Sequence, residues 1–68
     1  MDLNIDNYSI NDLKTFFKLD DGFSHSSIEE NEYEIREQLL NSGDIDKIFK
    51  RDLIFFLDEA KSRLIQTL

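Results

Sequence analysis

Residues 45–66 read IDKIFKRDLIFFLDEAKSRLIQ. Within them Ile45, Phe49, Leu53, Phe56, Leu57, Ala60 and Leu64 recur at three- and four-residue intervals, the signature of one face of an α-helix. Asp58, Glu59, Lys61 and Arg63 fall off that stripe, as a water-facing side should. Taken alone, Leu53 to Leu57 would also suit a buried strand. The charged flanks and the 3.6-residue period on both sides select a helix. Asp44 or Asp46 is placed to cap its start. This is the longest helix of the chain and carries most of the expected core.

Moving toward the N-terminus, Asn41-Ser42-Gly43 reads as a helix stop, with Gly43 suited to a left-handed position after the last turn. The helix before it starts near Ser24, with Phe23 and Ile28 at the two positions of a hydrophobic staple. Ser26 with Glu29 and Ser27 with Glu30 are alternative starts. Ile28, Ile35 and Leu39 line a narrow apolar stripe on which Glu32 intrudes. Tyr33 and Leu40, seven apart, share a different face, and Arg36 stands between the two. Asp20-Asp21-Gly22 is a turn signal. Ahead of it, Ser9 with Asp12 forms an acidic capping box, Tyr8 and Leu13 a second staple, and Ile10, Leu13, Phe16 and Phe17 one apolar face.

Residues 1–8 alternate Leu3, Ile5 and Tyr8 with Asn and Asp, which disfavour helix. They are expected to form an extended arm that lies across the helices or orders against a partner. The expected architecture is all-α: one domain over 1–68, an arm over 1–8, and a three-helix bundle over 9–68 with helices at about 9–19, 24–41 and 45–66. The expected core is Leu13, Phe16, Phe17, Ile28, Ile35, Leu39, Phe49, Leu53, Phe56, Leu57, Ala60 and Leu64.

Some apolar residues of the last helix lie off its stripe. Ile48 and Phe55 form a lateral pair that neighbouring helices of a bundle could cover. Ile54 and Ile65 point away from the stripe and are hard to bury in so small a body. Exposed apolar clusters mark contact surfaces, so Tyr33, Leu40, Ile54, Phe55 and Ile65 are the expected partner-binding residues.

Sixty-eight residues leave no room for a deep cleft. Fifteen acidic against eight basic residues give a net charge of −7, which argues against direct nucleic-acid binding. No cysteine is present, so disulfides and thiolate chemistry are excluded. The longest apolar run is far short of the roughly 20 residues that cross a bilayer, so no membrane insertion is expected. The opening Met1-Asp2-Leu3-Asn4 is unlike a secretory signal. These readings lead to the expectation of an intracellular protein.

The chemistry-bearing residues assemble no recognisable site. His25 has only its chain neighbours Ser24 and Ser26 for hydroxyl partners, and adjacent helix positions do not face each other. One histidine cannot furnish a multi-histidine metal centre. Asp44-Ile45-Asp46 lacks the third acid and the central glycine of a calcium loop, and Asp20-Asp21-Gly22 lacks the remaining ligands. No catalytic residue, metal ligand or cofactor is therefore expected. Glu29, Glu30, Glu32, Glu34 and Glu37 make the middle helix acidic, a solvated face or a dock for a basic partner. Lys47, Lys50 and Arg51 form a small opposite cluster, so self-association also comes into view.

The order of short helix, acidic helix, turn and long apolar helix resembles a J-like three-helix module, with Leu13 to Leu19, Ile28 to Leu40, and Phe49 to Leu64 in the three helical places. That family acts through a His-Pro-Asp tripeptide between its last two helices. Here the loop is Asn41-Ser42-Gly43-Asp44, so co-chaperone activity does not carry over. The run Asn7-Tyr8-Ser9-Ile10, then Phe16-Phe17-Lys18-Leu19, Ile35-Arg36-Glu37-Gln38-Leu39-Leu40 and Leu53 to Lys61, is similar to short modules of large nucleocytoplasmic DNA virus proteins. Residue usage is compatible: 27 residues are Phe, Tyr, Met, Ile, Asn or Lys, against 6 Gly, Ala, Arg or Pro, as expected of an AT-rich gene. The resemblance implies a non-catalytic structural or assembly component of a virus particle, placed in host cytoplasm or virion, with viral structural proteins as partners. The alternative is an acidic regulator or decoy that binds a basic DNA-binding protein.

Overall fold

The structure, a computed structural model, describes residues 2–68; Met1, the first residue of the expected arm, lies outside them. It is an all-α three-helix bundle: α1 spans Ile10–Phe16, α2 His25–Leu40 and α3 Lys47–Ile65, preceded by an arm with one 3₁₀ turn at Ile5–Asn7. Each helix is shorter than its expected range, because the terminal residues serve as caps and turns. The body measures 34 × 23 × 15 Å. Its shortest dimension is less than half of its longest. α2, α1 and the 3₁₀ turn all pack on α3, while α1 meets α2 only past its C-terminal end, where Asn31 holds the Phe17 carbonyl. α3 is thus a spine covered from two sides.

Local chemistry accounts for the boundaries. Ser9 caps α1 in a reciprocal box: its hydroxyl accepts from the Asp12 amide at 3.1 Å, and Asp12 accepts from the Ser9 amide at 3.0 Å. Ser24 caps α2 in the same way, but with Ser27 as the reciprocating residue. Asp46 precedes α3 and makes no side-chain cap. α1 ends in a Schellman motif: the Leu19 amide donates to the Lys14 carbonyl at 2.9 Å and the Lys18 amide to that of Thr15 at 3.1 Å. The left-handed residue this requires is Lys18, at φ 56°. Gly43, expected to be left-handed, has no positive φ; α2 ends at Asn41 in right-handed geometry, so nothing there calls for a glycine.

Nine of the expected core residues are buried: Leu13, Phe17, Ile28, Leu39, Leu53, Phe56, Leu57, Ala60 and Leu64. Phe16, Ile35 and Phe49 are half-buried at the margin, a correction that follows from the thinness of the body. The arm crosses the bundle, with Leu3, Ile5 and Tyr8 packed on the core. The Tyr8 ring meets Phe56 edge-on with centroids 5.3 Å apart, and Phe16 meets the same ring at 5.8 Å. Asp6 ties the arm to Arg63 of α3 at 2.6 Å.

Two expectations about α3 reverse. Ile54 and Ile65 are half-buried and packed on the core. α2 reaches α3 through Arg36 to Asp58 at 2.8 Å and Lys61 to Glu29 at 3.7 Å. At about 100° per residue, Ile54 and Ile65 lie within roughly 40° of Asp58 and Lys61, so α2 covers their side. Ile48 and Phe55, which neighbouring helices were expected to cover, are 60% and 61% exposed.

Candidate interaction surface

On α3, Ile48 and Phe55 lie seven residues apart, about 20° from one another around the helix and opposite the buried stripe. α2 packs on one flank of α3, and the arm and α1 on the other, so this face is left open. Phe55 does not stand alone. With Phe56, Asp52 and Glu59 it lines a groove whose far wall is Leu3 and Ile5 of the arm. A second groove is bounded by Phe55, Asp58, Glu59 and Ser62. A third, beside Ile10, shares Glu59 and Ser62 and runs on to Gln66 and Thr67. The three hollows share wall residues and lie along the exposed side of α3, a shallow trough interrupted by the Phe55 and Glu59 side chains over about 21 Å from Asp52 to Gln66 at 1.5 Å per residue.

The trough is acidic at its apolar end. Asp52 and Glu59 stand three residues before and four after Phe55, positions adjacent to it on a helix. Asp52 is within 3.3 Å of Arg51, an exposed pair of low energetic weight. Glu59 has no ion-pair partner among the described residues. Arg63, the cation at the other end, is engaged by Asp6.

The remaining expected contact residues fall elsewhere. Tyr33 and Leu40 are well exposed on α2. Tyr33 shares a patch with Glu29, Glu30 and Glu34. The Glu37 carboxylate accepts the Tyr33 hydroxyl's hydrogen bond and adds its charge, raising the phenol pKa above its usual value. Of the five expected contact residues, only Phe55 lies on the trough; Ile54 and Ile65 are packed under α2's side. Ile48 was missed as an exposed residue, and the half-buried Leu3 and Ile5 as lining of the groove. The seven-residue spacing of Ile48 and Phe55 signalled the first; nothing in the sequence placed the arm beside α3.

The acidic face of α2 is smaller than its composition implies. Glu32 is only 6% exposed and forms an ion pair with Arg36, which also holds Asp58. Burial opposes the charged form of Arg36, but the Glu32 and Asp58 carboxylates outweigh it and raise its pKa. The Arg36 Nε is buried without a partner, so this triad is incompletely satisfied. Glu29 is drawn toward Lys61 and His25, at 3.7 and 3.6 Å. His25 therefore lies beside a carboxylate, while the Ser24 and Ser27 hydroxyls are committed to the helix cap.

No described helix is long and apolar enough to cross a membrane. Among the described residues, no group of three His, Cys, Asp or Glu side chains is placed to hold a metal. Compared with protein-family models, curated proteins and solved structures, the chain matches none.

Proposed function

We propose that the chain is a non-catalytic protein–protein interaction module that docks its partner on the open face of α3. The supporting observation is the exposure of Phe55 and Ile48 on one helical face, beside a trough whose wall is the N-terminal arm. A protein of this size has few ways to gain from leaving two large apolar side chains in water, and such clusters mark contact surfaces. A place among the structural or assembly proteins of a large DNA virus rests on the sequence resemblance and belongs to the same proposal. The acidic-decoy reading is weaker, because Glu32 is spent inside the fold and Glu29 on Lys61.

The test uses the chain and its Ile48→Ser/Phe55→Ser variant as baits in an extract of the source, with circular dichroism on both. Proteins retained by the first and lost by the equally helical variant support the reading. Identical retention by both overturns it.

A further inference from the structure

We infer that the trough along α3 receives a basic amphipathic helix of a partner protein, an inference that rests on the interaction reading above and names the partner's chemistry. The apolar side chains of such a helix would sit against Leu3, Ile5 and Phe55, and its lysines or arginines would meet Asp52 and Glu59. Three features select this occupant. The trough follows a single helix for about four turns, and Ser62, a small side chain, lines two of its hollows, so the ridge of a second helix can run beside it. The fold has no strand among the described residues, so there is no sheet edge for an extended peptide to join. Carboxylates flank Phe55 on both sides along α3, and that of Glu59 has no cation of its own.

A second copy of the chain fits less well. A two-fold pairing through α3 in antiparallel sense sets Asp52 against Asp58 or Glu59, relieved only where Arg51 faces Glu59. A parallel pairing stacks the acidic turn at Asp58 and Glu59 on its own equivalent. Each copy also carries a net charge of −7. A basic helix meets none of these penalties.

The test titrates the isotope-labelled chain with a helical peptide of about 15 residues, long enough to fill the trough. One side of the peptide carries leucines at helical spacing and its flanks carry lysines; a second peptide replaces the lysines with glutamates. The lysine peptide is expected to shift amide signals of residues 52–66 and of the arm, and the glutamate peptide to leave them in place. Phe55→Ala should weaken lysine-peptide binding about 10- to 100-fold, the loss expected for one large apolar side chain. Glu59→Gln should weaken it a few-fold, with an accompanying loss of salt sensitivity. Both residues are exposed, so unchanged circular dichroism will separate lost binding from lost fold. Shifts confined to Glu30, Glu34 and Glu37 of α2 overturn the inference in favour of unspecific acid–base attraction. So does lysine-peptide binding indifferent to Phe55→Ala. Absence of lysine-peptide shifts together with a Phe55-dependent dimer in light scattering overturns it too, but leaves the interaction reading in place.

Discussion

At the scale of single residues, Lys18 and Arg36 depart most from what their positions favour. Lys18 supplies the left-handed residue of the α1 Schellman motif at φ 56°, a conformation that costs an L-residue with a Cβ about 1 kcal/mol relative to glycine. Its amide is used by the motif and its side chain is exposed, so only the backbone term is at stake. Lys18→Gly is expected to raise unfolding stability by about 0.5–1 kcal/mol in urea titration, whereas Lys18→Ala should not. Gly43 is the converse case. Its φ is ordinary and an added Cβ meets nothing within 4 Å, so Gly43→Ala should stabilise by about 0.5 kcal/mol through the unfolded chain. Arg36 bridges the buried Glu32 and the exposed Asp58. Arg36→Ala strands Glu32 in an apolar setting and should cost about 2 kcal/mol, reduced from the full buried-pair value by Arg36's partial exposure. Glu32→Leu with Arg36→Leu should recover most of that loss. A double variant as unstable as Arg36→Ala alone would mean that the pair holds α2 in place rather than merely neutralising itself.

At the scale of elements, the direction from which α2 and the arm approach α3 decides which of its residues are wet. The heptad-spaced apolar residues, the Ser9–Asp12 box and the start of α2 at Ser24 were legible in the sequence as local chemistry, whereas the cap expected of Asp44 or Asp46 is not made by the Asp46 side chain. The azimuth of α2 was not legible. It is marked by long-range pairs, Arg36 with Asp58 and Glu29 with Lys61, that no local pattern announces. For that reason Ile54 and Ile65, which are off the stripe, belong to the packed side, and Ile48 and Phe55 belong to the surface. Asn31 is a further long-range tie. Its side-chain amide donates at 2.8 Å to the Phe17 carbonyl, joining the end of α1 to α2, and its spacing gives no hint of this. The assignment has a direct consequence. Ile54→Asp with Ile65→Asp should lower the thermal midpoint steeply and remove helicity near room temperature, since a chain of this size has a modest reserve of stability. Ile48→Asp with Phe55→Asp should leave the far-ultraviolet spectrum and the midpoint within a few degrees of the parent. If the two variants melt alike, α2 does not cover the Ile54–Ile65 side of α3.

For the whole molecule, charge and apolar exposure act against each other, and pH sets the balance. At neutral pH the net charge of −7 opposes association of copies through the exposed Phe55, Ile48, Tyr33 and Leu40. Near the isoelectric point of about 4.4 that repulsion vanishes while the apolar residues remain. The fold should persist to that point. The backbone hydrogen bond from Asn4 and the side-chain bond from Asn7 depress the pKa of Asp2, and the Lys14 ammonium, 2.7 Å away, depresses that of Asp21. A carboxylate depressed in the folded state contributes its stability above its unfolded pKa, here 3.8, and loses it only as pH falls through the lower folded value. Reversible association should therefore peak near pH 4.4 with helicity intact, and unfolding should follow at lower pH. Light scattering paired with circular dichroism across this range separates the two steps. Ile48→Ser with Phe55→Ser should reduce association at the peak without moving the acid unfolding transition, because neither residue titrates or packs in the core. Association that is unaffected by this variant, or that appears only once helicity is lost, would place the sticky surface in the unfolded chain and not on the open face of α3.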